Sequence, residues 1–166
     1  EIKELRQKLG FGKTEITDFE GEANYSVRMP AGTQISFGAV AKGCASKYAI
    51  DAMHKNGVTS GIVSLGGNVQ TLGTKPDGSN WTVAVEDPND TSSYVGTLSV
   101  GETAIITSGS YQRYFIGPDG MKYHHLIDPS TGKPADNDLV SVTIVCSDGT
   151  LADCLSTAMF ILGESA

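Results

Sequence analysis

The sequence predicts an α+β fold in which antiparallel strands occupy the middle of the chain and helices flank them. Two segments with strong helical periodicity are separated by a long section of short apolar runs and turn signals. These runs do not alternate regularly with helices, as the strands of a parallel α/β fold do. Glycine is frequent, at 20 of 166 residues, which predicts many turns and close backbone approaches.

Apolar spacing predicts the first two helices. Residues 1–9 have the pattern of a short amphipathic helix that ends at Gly10. A longer helix is predicted for residues 40–56, and Asn56 and Gly57 form its stop signal. Its expected buried face consists of small and apolar side chains at helical spacing, namely Ala45, Tyr48, Ala49, Ala52 and Met53.

Most of the predicted strands follow the long helix. Trp81, Val83 and Val85 alternate with polar residues, and clusters of Gly, Pro, Asn and Asp separate the apolar runs. Short strands are predicted near residues 25–27, 62–65, 81–85, 96–100, 104–106, 111–116, 122–127 and 140–146. A closing helix is predicted for residues 151–162, with an expected apolar face of Leu151, Cys154, Leu155, Ala158, Met159 and Leu162.

Charge and length limit the classes of function. Twelve Lys and Arg residues against nineteen Asp and Glu give a net charge of −7. This balance argues against a nucleic acid as partner, because binding its phosphates requires a basic surface. The chain has no run of 18 apolar residues that could span a membrane. It begins at Glu1 without a Met, so we expect a trimmed sequence, and its length suits a single domain over residues 1–166.

Two glycine-containing segments stand at the ends of predicted elements. Gly38 to Gly43 precede the long helix, where backbone N–H groups could meet an anion beside the cation of Lys42. A tight loop with a solvated lysine is the simpler alternative. Gly66 and Gly67 follow a predicted strand, and they allow either the close approach of a ligand or a plain turn.

A third segment combines hydroxyl groups with a glycine. Thr107-Ser108-Gly109 could cradle a phosphate through hydroxyls and exposed N–H groups, and Arg113 could pair with a phosphate or carboxylate by two parallel hydrogen bonds. The alternative is a strand-to-strand turn followed by an exposed arginine. The residues alone leave both interpretations open.

A histidine pair, His124 and His125, precedes an Asp-Pro turn. Adjacent residues of a strand point to opposite faces, so at most one of the two can face a given pocket. A neutral imidazole accepts a proton near neutral pH, which suits the activation of a hydroxyl nucleophile. Either histidine could instead be a hydrogen-bonded structural residue.

Asp153 and Thr157 are spaced by four residues in the closing helix, which places a carboxylate and a hydroxyl on one helix face. Two such oxygens could share Mg²⁺, which binds few protein ligands and keeps positions for phosphate and water. The alternative is a capping box made by Thr150 and Asp153, with Thr157 as a surface hydroxyl. Taken alone, the spacing favours the cap.

In this order, the motifs resemble those of the ApbE family, the FAD:protein FMN transferases. That family carries a D-x-G-x-x-A-K-G-like segment, then L-G-G-N/D, T-S-G-D-Y-x-R-Y, H-H-x-I-D-P-x-T-G-x-P and A-D-x-x-S-T. The present sequence reads S-F-G-A-V-A-K-G, L-G-G-N, T-S-G-S-Y-Q-R-Y, H-H-L-I-D-P-S-T-G-K-P and A-D-C-L-S-T within residues 35–163. Ser36 and Ser110 stand where the family typically has Asp.

The resemblance implies an α+β enzyme that binds FAD and Mg²⁺ and passes FMN to a Ser or Thr hydroxyl of an acceptor protein, releasing AMP. It implies Mg²⁺ ligands at Asp153, Thr157 and the backbone carbonyl of Ala39, and a catalytic base at His125. The residues expected at the FAD site are Ser36, Lys42, Gly66, Gly67, Asn68, Thr107, Ser108, Gly109, Arg113 and Ile127.

Two alternatives stand beside flavin transfer. The same site could use water and act as an FAD pyrophosphatase that yields FMN and AMP. The serines at positions 36 and 110 motivate a second alternative, a non-catalytic FAD-binding module. The resemblance further implies an acceptor in a membrane redox complex, an extracytoplasmic location with a membrane anchor, and terminal segments beyond these 166 residues, without which the chain could be inactive.

Overall fold

The computed structural model describes residues 2–7, 10–18 and 25–164, with the backbone alone at residues 2, 11 and 18. The chain divides into two compact units, of which the smaller contains residues 1–36 and 128–133 and the larger contains residues 37–127 and 134–166. No helix within the described ranges is long and apolar enough to cross a membrane.

The smaller unit contains one short helix, one 3₁₀ turn and an antiparallel pair of strands. These elements are α1 (Ile2–Arg6), the 3₁₀ turn Phe11–Lys13, β1 (Glu15–Asp18) and β2 (Tyr25–Arg28). The helix and β2 confirm predictions, whereas β1 was not predicted because its sequence is mostly polar. Leu9, which belongs to the predicted first helix, lies outside the described residues.

The larger unit holds two long helices and most of the strands. The helices are α2 (Ala41–Lys55) and α3 (Gly149–Leu162). The strands are β3 (Ser60–Leu65), β4 (Asn68–Gly73), β5 (Trp81–Asp87), β6 (Asp90–Val100), β7 (Thr103–Gly109), β8 (Tyr114–Ile116), β9 (Lys122–His124), β10 (Ile127–Asp128), β11 (Lys133–Pro134) and β12 (Ser141–Cys146), of which β10 and β11 reach into the smaller unit.

A four-stranded antiparallel sheet in the order β12-β7-β4-β3 forms the centre of the larger unit. Helix α2 packs against β3 and β4, and α3 packs against β7 and β12. One core cluster joins Ala104 and Ile106 of β7 to Ala152 of α3. Three further strand pairs, β5-β6, β8-β9 and β10-β11, complete the predicted α+β fold.

The buried face of α2 differs from the predicted one. The helix buries Gly43, Ser46 and Ile50, whereas Tyr48 of the predicted face is 71% exposed. The prediction was wrong because small and polar residues, which carry little apolar signal, occupy the face that touches the sheet and the other helix.

The prediction for α3 was wrong in the same way. Its buried residues are Gly149, Ala152, Asp153, Ser156 and Phe160. By contrast, Leu162 of the predicted apolar face is 63% exposed, and Leu151, Cys154 and Leu155 are also exposed. The helix therefore turns its polar groups toward the rest of the unit.

Strand β4 was not predicted either, although it lies between two other strands at the middle of the sheet. Its residues Asn68, Gln70, Thr71 and Leu72 are all buried. Three of these four side chains are polar, so the segment shows no apolar run. The predicted strand near residues 111–116 is shorter and begins at Tyr114.

Candidate functional site

The N-terminus of α2 is bound by a carboxylate from α3. The backbone N–H of Gly43 donates a hydrogen bond to Oδ2 of Asp153 at 2.7 Å, and Asp153 is only 3% exposed. Val40, the residue before the helix, makes no side-chain capping bond. Asp153 therefore supplies the negative charge that the free N–H groups and dipole of α2 favour.

This hydrogen bond leaves two oxygens available nearby. In a regular helix, the N–H of Gly43 would bond to the carbonyl of Ala39, but it is directed to Asp153 instead. No backbone N–H among the described residues donates to the Ala39 carbonyl, and none bonds to Oδ1 of Asp153. Both atoms can accept a further partner.

The close approach of α2 and α3 requires glycine at position 43. A Cβ atom there would overlap the carbonyl oxygen of Gly149 and would lie 2.6 Å from Cβ of Asp153. The helix ends therefore meet backbone to backbone, which explains how the Gly43 N–H reaches the carboxylate.

The capping box proposed for α3 is not present. The residue that caps α3 is Asp148, whose side chain accepts a hydrogen bond from the N–H of Leu151 at 3.0 Å. Asp153 caps α2 rather than its own helix. The spacing of Thr150 and Asp153 was misleading because the helix begins at Gly149, earlier than the predicted start at residue 151.

Thr157 lies one helical turn after Asp153 and contacts the end of β7. Its Oγ1 is 3.1 Å from Oγ of Ser108, which also lies 2.8 Å from Oγ of Ser156. Ser156 in turn donates to the carbonyl of Asp153 at 3.0 Å. The Thr107-Ser108-Gly109 segment is thereby joined to the same face of α3 that carries Asp153.

Lys42 ties the start of α2 to the turn between β3 and β4. Its Nζ donates to the carbonyl of Gly66 at 3.1 Å. Gly66 and Gly67 have φ angles of 53° and 91°, and Leu65 pairs with Asn68 across them. Two residues with positive φ are typical of a type I′ hairpin turn, so the segment forms the turn that was one of its two predicted alternatives. Its contact with FAD stays a prediction.

Asn68 and Gln70 point into the larger unit with unpaired amide atoms. Asn68 is fully buried, and neither Oδ1 nor Nδ2 forms a hydrogen bond within the described residues. The same holds for Oε1 of Gln70, which lies close to the Gly149 backbone at the start of α3. Buried polar atoms normally have partners, so these amides favour a polar ligand or bound water next to the helix N-termini.

The two histidines have different environments. Nε2 of His124 is 3.1 Å from the carbonyl of Ala135, its ring packs edge-on against Phe160, and its Nδ1 accepts from the N–H of Leu126. His124 is therefore a structural residue. His125 is only partly exposed, and its Nδ1 lies 3.3 Å from the carbonyl of Arg113.

The bond to Arg113 fixes the tautomer of His125. A carbonyl only accepts, so Nδ1 carries the proton and Nε2 presents a lone pair. Partial burial lowers the pKa of His125 below 6.5, the hydrogen bond to Arg113 opposes this shift, and the charges of Arg113, His124 and Lys42 lower the pKa further. The imidazole is thus a neutral base at neutral pH.

The oxygens of Asp153, Thr157 and Ala39 are hard donors of the kind that Mg²⁺ binds. The buried carboxylate with one unbonded oxygen and the unpaired Ala39 carbonyl fit such a cation. The described residues contain no group of three or more His, Cys, Asp or Glu side chains that could bind a metal ion.

Four further residues were predicted for the FAD site, namely Thr107, Gly109, Ile127 and Ser36. Thr107 pairs with Thr143 at 2.8 Å, and Gly109 has no room for a Cβ atom because of the ring of Tyr111. Ile127 is exposed in β10. Ser36 lies in the smaller unit, so its role at the FAD site stays a prediction.

Sequence reasoning missed three residues of the site: Gln70, Gly149 and Ser156. Ser156 belongs to the quoted A-D-C-L-S-T motif, which could have drawn attention to it. Gly149 and Gln70 carry no sequence signal, because their importance comes from the approach of α3 to α2 and β4.

Comparison with known proteins identifies the group to which the chain belongs. The model of the ApbE family matches residues 1–166. A FAD:protein FMN transferase of Treponema pallidum is 39% identical in an alignment that covers 80% of this chain and 39% of that protein. The FAD:protein FMN transferase of Salmonella typhimurium is 30% identical over 98% of this chain and 46% of its own length.

Solved structures agree with this match. The crystal structure of an ApbE protein from Thermotoga maritima has a TM-score of 0.87 and 36% identity, covering 97% of this chain and 50% of that one. The apo form of the flavinyl transferase ApbE from Pseudomonas stutzeri has a TM-score of 0.79 and 31% identity, over 98% of this chain and 48% of its own. The chain thus spans half or less of the length of these relatives, and it belongs to the ApbE family.

Proposed function

We propose that this protein transfers FMN from FAD to a Ser or Thr hydroxyl of an acceptor protein, in a reaction that depends on Mg²⁺ and releases AMP. Its relatives are FAD:protein FMN transferases, which supports flavin transfer. The structural support is the junction of α2 and α3, where the Gly43 N–H binds Asp153 and the carbonyl of Ala39 is left free.

The proposed step is attack of a hydroxyl on a pyrophosphate. The acceptor oxygen forms a bond to the phosphorus on the FMN side, and the bond from that phosphorus to the bridging oxygen breaks. AMP leaves with the bridging oxygen. The hydroxyl proton passes to Nε2 of His125, whose lone pair is available because Nδ1 bonds to Arg113.

Charge on the phosphoryl oxygens must be neutralised during this step. Lys42 and Arg113 would be the cations of the site, and the lowering of the pKa of His125 by both charges supports their proximity to it. Asp153, Thr157 and the carbonyl of Ala39 would hold Mg²⁺, which supplies Lewis-acid stabilisation of the phosphoryl oxygens when bound.

A labelling experiment tests this function. The protein is incubated with FAD, Mg²⁺ and an acceptor that carries a family-type Ser/Thr motif, and flavin fluorescence is read on a denaturing gel. We expect a fluorescent acceptor band that disappears with EDTA or when the acceptor hydroxyl is removed by substitution with Ala.

A histidine control makes the assay specific. His125→Gln is expected to abolish labelling. His54→Gln removes a histidine of α2 that bonds to Glu102, and this variant is expected to preserve labelling. An unlabelled acceptor that a known family member does label would contradict flavin transfer. Release of FMN and AMP without acceptor would instead indicate an FAD pyrophosphatase, and FAD binding without turnover would indicate a binding module.

The acceptor and the location belong to the same proposal. The family resemblance supports an acceptor from a membrane redox complex and an extracytoplasmic protein anchored to the membrane. Fractionation of the source cells tests the location: we expect the protein with the membranes and accessible to protease from outside the cytoplasm. A cytoplasmic, protease-protected protein would contradict it.

A further inference from the structure

Three hydroxyl groups form a continuous chain beside the proposed cation ligands. Thr157 Oγ1 contacts Ser108 Oγ at 3.1 Å, Ser108 Oγ contacts Ser156 Oγ at 2.8 Å, and Ser156 Oγ contacts the carbonyl oxygen of Asp153 at 3.0 Å. Ser156 is fully buried, so water cannot replace any of its bonds.

The directions of these hydrogen bonds follow from counting protons. Each hydroxyl has one proton, and a carbonyl oxygen can only accept. Ser156 must therefore donate to Asp153, which obliges Ser108 to donate to Ser156. Thr157 must then donate to Ser108, since Ser108 has no second proton. The three hydroxyl protons therefore form the three hydrogen bonds in a single order, from Thr157 to Ser108, from Ser108 to Ser156 and from Ser156 to the carbonyl of Asp153.

This order determines what Thr157 offers to a cation. A helical threonine often donates its proton to a carbonyl of the preceding turn. Here the proton is held by Ser108 on β7, and the oxygen keeps its lone pairs for another partner. A cation is attracted to a lone pair and repelled by a hydroxyl proton, so the orientation of the hydroxyl decides whether Thr157 is a good ligand.

We propose that Ser156 and Ser108 are positioning residues that fix the Thr157 hydroxyl as an acceptor toward Mg²⁺. This inference rests on the proposed function, because it concerns the same cation. Ser156 acts without touching the cation: replacing it with Ala frees the proton of Ser108, which can then be donated to Thr157 and reverse its role.

The test measures Mg²⁺ affinity of the protein without FAD, by calorimetric titration and by the Mg²⁺-induced rise in Tm. We expect the Kd for Mg²⁺ to increase about tenfold in Ser156→Ala, as outer partners of metal ligands typically do when removed. In the labelling assay, the Mg²⁺ concentration for half-maximal rate should rise, while the rate at saturating Mg²⁺ is largely kept.

The chain offers a closely matched control. Ser46 of α2 is also fully buried, and its Oγ donates to the carbonyl three residues earlier, that of Gly43, at 3.0 Å. Among the described residues, its Oγ contacts no other hydroxyl. Ser46→Ala therefore removes a buried hydrogen bond to a helix carbonyl, as Ser156→Ala does, but breaks no bond to another described hydroxyl. We expect it to retain the Mg²⁺ affinity of the unsubstituted protein.

Ser108 gives a second, independent variant if Ser156→Ala fails to fold. Ser108→Ala should weaken Mg²⁺ binding, and Ser108→Thr, which keeps the hydroxyl on a strand, should largely restore it. Equal Mg²⁺ affinity in Ser156→Ala, Ser108→Ala and the unsubstituted protein would overturn the positioning role alone. Absence of Mg²⁺ binding by the unsubstituted protein would overturn the proposed cation site as well.

Discussion

Asp153 combines an observed interaction with a proposed one, and a single substitution could remove both. Its Oδ2 accepts from the N–H of Gly43 at the start of α2, while Oδ1 is the proposed ligand of a cation. The first interaction stabilises the fold and needs only an acceptor. The second needs a negative charge. Substitutions that differ in charge alone can therefore separate the two.

We predict that Asp153→Asn abolishes Mg²⁺-dependent flavin transfer and loses less stability than Asp153→Ala. The Asn oxygen can still accept from Gly43, whereas Ala removes the cap of α2 and should cost about 0.5–2 kcal/mol. Denaturant unfolding gives the two stabilities, and the gel assay gives activity. Full activity in Asp153→Asn would contradict the role of this charge.

The pH dependence of the reaction should report His125. The pKa of His125 lies below 6.5, chiefly because of partial burial, and its neutral form is the proposed catalytic base. We therefore expect activity to be constant at neutral pH and to fall only as pH drops through this lowered pKa. A profile of kcat/KM against pH measures it. An acidic limb centred above pH 6.5 would contradict the assignment.

At the scale of elements, the contact between the N-termini of α2 and α3 positions the site. A side chain at Gly43 would meet the backbone of Gly149, which cannot move as a flexible side chain would. We predict that Gly43→Ala destabilises the protein by about 1–3 kcal/mol through overpacking and also weakens Mg²⁺ binding, because Asp153 is displaced.

Gly96 of β6 provides the control for this prediction. A Cβ atom there would meet nothing within 4 Å, and the residue does not have positive φ. Gly96→Ala should leave both Tm and Mg²⁺ affinity essentially unchanged. Equal effects of the two substitutions would show that the helix contact has no special role.

Helix bounds and helix faces differ in how well the sequence predicts them. Both α2 and α3 were placed within two residues, since their length and periodicity are local properties. The predictions of their buried faces were wrong because small and polar residues point inward, namely Gly43, Ser46, Asp153 and Ser156. These residues form hydrogen bonds with the backbone of the two helices or with Ser108 on β7. A prediction based on the spacing of apolar residues does not detect a buried helix face that is made of small and polar residues.

For the whole molecule, the net charge of −7 opposes the binding of a pyrophosphate. Lys42 and Arg113 provide positive charges, and both charges lower the pKa of His125. Asp153 adds a negative charge to the same unit, so these three side chains sum to a single positive charge, and a bound divalent cation would add two more. This balance supports a requirement for Mg²⁺ in the proposed reaction.

Glu102 links distant parts of the larger unit and should make its stability depend on pH. Its carboxylate bonds to His54 of α2 at 2.9 Å and to the N–H of Gly73 at 3.0 Å. The hydrogen bond from His54 is the main cause that lowers the pKa of Glu102 below 4.5, with a further contribution from Gly73.

Because the folded pKa is lowered, this stabilisation is present above pH 4.5 and is lost as pH falls through the folded value. The pair is half-exposed, so we expect less than about 1 kcal/mol. Glu102→Gln should remove this part of the acid destabilisation in denaturant titrations at several pH values. Asp51→Asn, which alters a surface pair with Lys47, serves as the control. An unchanged pH profile in Glu102→Gln would contradict the prediction.

The sequence by itself determined the α+β class, the bounds of both long helices and the order of the motifs that identify the family. These follow from local periodicity, from turn residues such as Gly66 and Gly67, and from the quoted residues. Only the tertiary structure decided that Asp153 caps α2, that β4 is a buried polar strand, and that Ser108 and Ser156 join Thr157 in one chain of hydroxyl contacts. The physical reason is that these roles depend on hydrogen bonds between segments far apart in the chain, which no local pattern records.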